Sequence, residues 1–201
     1  MSISDARLIA LKQIHDELVN FKESPLYKYR TENNYYPVVG EGSHYAKIIF
    51  IGEAPGKNEA LTAKPFCGAS GRILDELLRS INLKREDVYV SNIVKDRPPE
   101  NRDPTPQEIE LYAPFLDRQI NIIQPAVIAT LGRFSMKYIM DKFGLASETG
   151  PISKLHGQIF EAKSSWGTVK IIPLYHPAVA LYGASKKVYL LNDFKVLEKY
   201  K

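Results

Sequence analysis

The sequence predicts an α/β fold, a three-layer α/β/α sandwich around a mostly parallel four-stranded sheet. Four short runs are apolar almost throughout, as in strands buried on both faces of a parallel sheet. Amphipathic helical patterns separate these runs, which favours right-handed crossovers that cover both faces. Since the chain has 201 residues, 44% hydrophobic and 25% charged, we expect residues 1–201 to form one domain.

The first predicted elements are a helix and a buried strand. The helix begins behind the cap Ser4, and its apolar residues recur at spacings of three and four. These residues are Leu8, Leu11, Ile14, Leu18 and Phe21. After a tyrosine-rich connection of unassigned form, AKIIFIG at 46–52 is the first strand.

The middle of the chain predicts two further helices and the second strand. Residues 70–82 form a helix that ends at Asn82, and DVYVSNIV at 87–94 is the second strand. The segment DRPPENRDP cannot be regular, and Thr105 to Glu108 then form a capping box that starts a helix to about residue 123. The apolar face of the 70–82 helix consists of Ile73, Leu74, Leu77, Leu78 and Ile81.

Two strands and two helices complete the pattern. The third strand is AVIATLG at 126–132, with a helix at 133–143, and the fourth strand is GTVKIIPLY at 167–175. The closing helix is expected at 185–200. Its apolar residues in register are Val188, Leu191, Phe194 and Leu197.

Charge and cysteine content limit the class of protein. The net charge of +4 and the pI near 9.0 permit a polyanionic partner. Cys67 is the only cysteine, so neither an internal disulfide nor a four-thiolate metal site can form from this chain. No apolar run is long enough for a membrane span, and the N-terminus is unlike a signal peptide, so we expect a soluble cytoplasmic protein.

The turn after the first strand does not fit a phosphate site. Gly52, Gly56 and Lys57 are spaced one residue too closely for a phosphate loop, and Asn58 replaces the required hydroxyl. The dinucleotide pattern is also absent, and Pro55 stiffens the turn and removes an amide donor. An unrelated nucleotide-binding α/β protein is therefore disfavoured.

Polar residues instead follow the carboxyl ends of the strands, where such sheets bind ligands. Glu53 is either a turn cap or one wall of a slot for a flat ligand, and Phe66 is either core or a stacking face. Asn92 either pairs with backbone or recognises the edge of a base. His176 is either structural or a proton donor to an oxygen that gains negative charge.

Five motifs together resemble the uracil-DNA glycosylase superfamily, specifically its family 4. They are GEAPGKNEA, KPFCGASGRILDELL, VYVSNIVKDRPPENRDPTPQEI, VIATLGRFS and YHPAVAL. The resemblance runs from about residue 5 to the C-terminus. It implies a DNA repair enzyme that hydrolyses the N-glycosidic bond of uracil, a reaction for which we expect no metal or other cofactor in this chain. It also implies a monofunctional reaction on single- or double-stranded DNA that leaves an abasic site, and we expect a monomer.

The resemblance assigns roles to residues around an extruded uracil. Gly52, Glu53 and the Ala54 backbone line the pocket, and Phe66 stacks on the ring. Asn92 binds the pyrimidine edge and His176 stabilises the departing base. Glu59 either orients the attacking water or crowds the position of the thymine methyl.

We expect contacts to DNA from basic residues in loops and from a side chain that inserts, as a wedge, where the base has left the stack. The basic candidates are Lys95, Arg97, Arg102, Arg133, Lys186 and Lys187. Val179, Leu181 or Tyr182 either inserts into the gap left by the base or only covers the sheet end.

One part of the family 4 pattern is missing. Members of the well-known type hold a four-cysteine iron–sulfur cluster, and we expect no cluster in this chain. If the cluster joins the first helix, the KDRPP loop and the following helix, apolar packing and an ion pair of Asp96 with Arg97 or Arg102 would replace it. The four matching positions are Phe21, Ser24, Asp96 and Tyr112.

The resemblance leaves two alternatives open. One is a catalytically weak or inactive module that binds DNA or a base on the same fold. The other is a glycosylase for another deaminated base, hypoxanthine or xanthine. Relatives that trap the sugar covalently carry a basic, histidine-bearing insert, and none follows VKDRPP here.

Overall fold

A computed structural model describes residues 5–201, which form a six-stranded sheet with helices on both faces. The four predicted strands are confirmed and are all parallel. They are β2 (Ile48–Gly52), β3 (Tyr89–Asn92), β4 (Val127–Leu131) and β6 (Gly167–Leu174). The predicted strand number was wrong, because β1 (Glu41–Gly42) and β5 (Phe160–Ser164) add antiparallel edges and give the order β1-β3-β2-β4-β6-β5.

The helices alternate with the strands as expected for crossover connections. Before the sheet and between its first strands lie α1 (Ala6–Val19), α2 (Tyr27–Glu32), α3 (Lys57–Thr62) and α4 (Ala69–Ser80). The later helices are α5 (Pro106–Ile123), α6 (Arg133–Lys142), α7 (Ile152–Leu155) and α8 (Ala184–Lys195).

Both faces of the central strands are buried. In β2, Ile49 and Ile51 pack into one hydrophobic cluster, whereas Ile48 and Phe50 pack into a second one. Successive side chains of a strand point to opposite faces, so these two clusters lie on opposite sides of the sheet. This explains why β2 is continuously apolar and does not alternate with polar residues.

Local capping signals set several helix ends. Thr105 and Glu108 form the predicted capping box, in which each side chain accepts the other residue's backbone N–H at 3.2 and 2.8 Å. Asn82 has a positive φ of 55° just beyond α4, as expected for a stop residue. The predicted cap Ser4 lies outside the described residues, and Asp5 caps α1 by accepting from the amides of Arg7 and Leu8.

Two predicted apolar stripes need correction. Leu8 in α1 is exposed, and burial in that helix falls to Leu11, Ile14 and Leu18. In the closing helix Val188 is exposed, and Leu190 is buried together with Phe194 and Leu197. Periodicity identified both helices but misplaced the edge of the buried face by one turn or less.

A helix that crosses a bilayer must be both long and apolar. Within residues 5–201, no helix is both long and apolar enough to cross a bilayer.

Candidate active site

The carboxyl ends of three parallel strands place the predicted residues at one edge of the sheet. Gly52 at the end of β2 is in register with Asn92 at the end of β3. On the other side, the Gly132 amide after β4 donates to the Leu174 carbonyl at the end of β6, at 2.9 Å. The segments that follow these ends therefore lie side by side.

A cavity of about 560 Å³ opens at this edge. It brings together six of the predicted site residues, including the acid, the amide and the imidazole. Its lining residues are Glu53, Ala54, Gly56, Glu59, Phe66, Ser70, Asn92, Asn101, Asp103, His176, Ala178 and Tyr182.

Gly52 contributes through close approach and does not line the cavity. A Cβ at this position would lie 2.3 Å from Asn92 Oδ1 and 2.7 Å from Phe66 Cζ. Real atoms cannot pack so closely, so only glycine lets the amide and the aromatic ring meet beside the strand end.

Phe66 belongs to the hydrophobic core and also lines the cavity, so it combines the two settings that the sequence left open for it. Only 7% of the residue is exposed, yet it lines the cavity, with its ring centroid 5.6 Å from that of His176. Its backbone has a positive φ of 50°, and Arg85 Nη2 donates to the carbonyls of Pro65 and Phe66 at 2.6 and 2.9 Å. At Gly71 any Cβ would lie 1.7 Å from the Phe66 carbonyl oxygen, so glycine is required there as well.

Asn92 is the most distinctive polar group of the cavity. It is 2% exposed, and its Oδ1 has no hydrogen-bond partner among residues 5–201. A buried acceptor without a partner costs about 1–3 kcal/mol. The site therefore holds an amide whose hydrogen-bonding capacity is left for a ligand.

His176 is held as a neutral imidazole with a defined tautomer. The Ala178 amide donates to its Nδ1 at 3.2 Å, which leaves the proton of the neutral ring on Nε2. Burial lowers the pKa of His176 to about 4, against a smaller opposing effect of Glu59. At neutral pH the ring is thus an uncharged Nε2–H donor.

The two glutamates of the cavity differ in their environments. Burial raises the pKa of the half-buried Glu53 to about 7; Asp103 adds to this shift and Arg133 opposes it. Glu59 is anchored, because its Oε1 accepts from the amides of Cys67 and Gly68 at 3.1 and 2.9 Å. Glu53 therefore changes charge near neutral pH, whereas Glu59 is fixed in place by the following loop.

Comparison with known proteins places this arrangement in a family. The family model for the uracil DNA glycosylase superfamily matches residues 39–198, which include every cavity residue. The chain belongs to the uracil-DNA glycosylase superfamily.

Two type-4 uracil-DNA glycosylases are similar to this chain over most of their own length. A type-4 uracil-DNA glycosylase of Archaeoglobus fulgidus is 44% identical over 92% of this chain and 90% of its own. A type-4 uracil-DNA glycosylase of Sulfurisphaera tokodaii is 41% identical over 94% of this chain and 84% of its own. A DNA polymerase of Bacillus phage SP01 is 30% identical over 83% of this chain but only 17% of its own.

The basic residues predicted to contact DNA in this superfamily member differ in their exposure and in their partners within the protein. Lys186 is exposed, and Arg133 is exposed but paired with Asp103. Arg97 is only 9% exposed and donates to Asn101, Tyr29 and Tyr35, so its guanidinium already has partners within the protein. A DNA contact of Arg97 stays a prediction.

The wedge candidates differ in exposure. Val179 packs against the core, whereas Leu181 is half-exposed and Tyr182 is 87% exposed at the cavity rim. The sequence predicted Tyr182 only as a side chain that inserts into the gap left by the base. No sequence pattern assigned a cavity role to Ser70 at the start of α4, to Asn101 and Asp103 in the segment after β3, or to Ala178 in the turn after His176.

The four positions that the sequence resemblance pointed to as cluster ligands are neighbours in the structure, with Phe21 partly buried and Ser24, Asp96 and Tyr112 buried. Tyr112 donates its hydroxyl to Ser24 Oγ at 2.7 Å and Asp96 Oδ2 at 2.6 Å, and Phe21 packs edge-on against the Tyr112 ring. The predicted ion-pair partner was wrong: Asp96 pairs with Arg30, whose Nη1 lies 3.1 Å from both carboxylate oxygens.

These residues do not fit the iron–sulfur cluster that the resemblance implies. A cluster requires thiolates, and the four positions offer a phenyl ring, a hydroxyl, an ion-paired carboxylate and a phenol. Direct hydrogen bonds among Ser24, Tyr112, Asp96 and Arg30 connect them. Within residues 5–201, no group of three or more His, Cys, Asp or Glu side chains is arranged to hold a metal.

Proposed function

We propose that this chain is a monofunctional uracil-DNA glycosylase of DNA repair that acts as a monomer on uracil in single- or double-stranded DNA. Its reaction is hydrolysis of the N-glycosidic bond, which releases uracil and leaves an abasic site. The observation that carries the proposal is that Phe66, the neutral His176 ring and Asn92, whose amide oxygen has no hydrogen-bond partner among residues 5–201, line one cavity.

Recognition begins with extrusion of the nucleotide, because the glycosidic bond cannot be reached inside a duplex. The flipped uracil stacks on Phe66, and the Asn92 carboxamide binds its Watson–Crick edge. A carboxamide carries a donor and an acceptor, which match the carbonyl and N–H of uracil. The bond that Asn92 Oδ1 lacks in the free protein would then form only with the base.

His176 stabilises the leaving group. As the glycosidic bond breaks, negative charge develops on the uracil carbonyl oxygens, and Nε2–H donates to one of them. A preorganised donor of this kind is worth roughly 3–4 kcal/mol in an oxyanion hole. Because the ring is neutral, it retains its proton and acts as a fixed donor.

The two acids serve the sugar and the water. Ionised Glu53 stabilises the oxocarbenium-like sugar through its negative charge. The anchored Glu59 either orients the attacking water or excludes a thymine methyl, as the sequence predicts. Release of thymine by a Glu59→Ala protein would select the second role.

Contacts to the strand come from the exposed residues at the rim. We assign phosphate contacts to Arg133 and Lys186, and insertion into the vacated stack to Leu181 or Tyr182. These four side chains are exposed.

An oligonucleotide with one labelled uracil site tests the proposal. After incubation with protein, alkali cleaves the strand at any abasic site. Cleavage by the wild type that falls at least about 100-fold in Asn92→Ala and His176→Ala proteins is the expected result, as for loss of an oxyanion donor. Asn121→Ala and His15→Ala, which replace exposed residues of the same types, serve as matched controls.

Other outcomes of this assay distinguish the alternatives. DNA binding without alkali-sensitive sites would identify a catalytically inactive module and contradict the proposal. Faster cleavage at hypoxanthine or xanthine than at uracil would retain the reaction and change the base.

A further inference from the structure

Lys95 is a fully buried lysine that the proposed reaction does not use. It was predicted to contact DNA, but its side chain has no exposed surface and does not line the cavity. Lys95 follows Asn92, the last residue of β3, by three positions, and its ammonium lies close to this strand end. A buried lysine needs partners for its donors, since burial of an unpaired ammonium is very costly.

The partners of Lys95 hold it with full hydrogen bonding. Nζ donates to Ser91 Oγ at 2.7 Å, to the Asn92 main-chain carbonyl at 2.7 Å and to Gln119 Oε1 at 2.5 Å. Nζ also lies 3.4 Å from the Val39 carbonyl oxygen, so acceptors surround the amino group. Burial lowers the pKa of Lys95 well below its ordinary value, and the negative charge of Asp117 opposes that shift.

The acceptors are themselves fixed to neighbouring elements. Ser91 Oγ and Gln119 Nε2 both donate to the Val39 carbonyl, at 2.7 and 2.8 Å. The Lys95 carbonyl accepts from the Val38 amide at 2.7 Å, so both its main chain and its side chain are held. This group of Val39, Ser91, Lys95 and Gln119, which we call the lysine clamp, joins β3 to α5 and to the segment before β1.

The lysine clamp lies on the opposite face of β3 from the cavity. Adjacent side chains of a strand point to opposite faces, so Ser91 turns toward Gln119 while Asn92 turns toward Phe66. The clamp therefore reaches Asn92 only through its backbone carbonyl. A backbone fixed at this point determines where the carboxamide on the other face lies.

From this geometry we propose that Lys95 is a positioning residue for Asn92. Its ammonium fixes the end of β3 so that the Asn92 carboxamide meets the base edge. The proposal rests on the proposed function. Stability alone is a weak explanation for the ammonium, because well-packed apolar side chains often replace buried charges at no cost.

The test variant is Lys95→Met, which keeps most of the side-chain volume and removes all three donors. We expect the single-turnover rate of uracil release to fall by about 100-fold, as for a displacement of about 1 Å in a catalytic group. Affinity for the uracil oligonucleotide should stay nearly unchanged. Lys170→Met, which makes the same replacement at a partly buried lysine of β6 that pairs with Glu161 and does not line the cavity, is the matched control.

A double-mutant cycle separates positioning from a general structural effect. If Lys95 acts through Asn92, adding Lys95→Met to Asn92→Ala should cause little further loss of rate. A full additional loss in the double variant would overturn the proposal. Should Lys95→Met fail to fold, Ser91→Ala removes one acceptor of the clamp and is tested in the same cycle.

A readout independent of activity keeps this inference distinct from the proposed function. The side-chain amide signals of Asn92, assigned by their loss in Asn92→Ala, should shift or broaden in Lys95→Met but not in Lys170→Met. Unchanged signals would overturn the proposal even in an active enzyme. If the wild type releases no uracil, the proposed function fails, and these signals still show whether Lys95 positions Asn92.

Discussion

Burial shifts two ionisable side chains of the cavity in opposite senses. It raises the pKa of Glu53 to about 7 and lowers the pKa of His176 to about 4. In each case burial disfavours the charged form. Above pH 7 the cavity therefore holds a carboxylate beside a neutral imidazole, as a reaction with a cationic sugar and an anionic base requires.

The first prediction concerns the pH dependence of uracil release. If ionised Glu53 stabilises the sugar, the single-turnover rate should rise between pH 5 and pH 9 with an inflection near 7. His176 stays neutral throughout this range, since its pKa is about 4. Single-turnover rates on an oligonucleotide, measured at constant ionic strength, check this.

The matched variant is Glu53→Gln, which keeps the shape and cannot ionise. Its rate should be lower at pH 9 and should show no inflection near 7. An inflection of equal size in both proteins would assign the titration to another group.

Sequence reasoning located the cavity residues because strand ends in a parallel sheet share one edge. Glu53, Asn92 and His176 each follow or end a strand, so periodicity alone brought them together. The backbone conformation of Phe66 could not be predicted from the sequence. Its backbone conformation depends on Arg85, 19 residues away, and on the lack of a side chain at Gly71.

At the scale of elements, α1 and α2 are attached to the rest of the fold by Arg30. Its Nη1 and Nη2 donate to the Leu18 and Val19 carbonyls at 2.9 and 2.7 Å, which satisfies the carboxyl end of α1. The same guanidinium pairs with Asp96 in the loop before α5. Burial raises the pKa of Asp96, while Arg30 and the Tyr112 hydroxyl oppose that shift.

The second prediction is that breaking this buried pair destabilises the fold strongly. Asp96→Asn leaves Arg30 as a buried charge without its carboxylate, which costs about 3–5 kcal/mol of unfolding free energy. Denaturant unfolding of both proteins measures the difference.

The control is the exposed pair of Arg118 with Glu17, which also joins α1 to α5. Glu17→Gln should cost at most about 1 kcal/mol, as for surface ion pairs. Equal midpoints for the Asp96 and Glu17 variants would contradict a structural role for the buried pair.

The pairing of Arg30 with Asp96 could not be predicted from the sequence. Arg30 lies in the tyrosine-rich connection, where no periodicity predicts α2, and its partner is 66 residues away. The edge strands were missed for a related reason. β1 has only two residues, and β5 (FEAKS) is partly exposed, so neither shows a continuous apolar run.

For the molecule as a whole, the loop after β3 is fixed from two sides. Lys95 holds it to the sheet and α5, and the adjacent Asp96 holds it to α1 and α2 through Arg30. Asn101 and Asp103, farther along the same loop, line the cavity. Packing of the N-terminal helices is thereby connected to the position of the residues that surround the base.

The central claim is that one cavity binds uracil between Phe66, Asn92 and His176. A crystal structure of the protein with free uracil tests it most directly. We predict the ring against Phe66, with its edge within hydrogen-bond distance of the Asn92 carboxamide and a carbonyl oxygen near His176 Nε2. Uracil bound elsewhere, or in this cavity without contact to Asn92 and His176, would contradict the account.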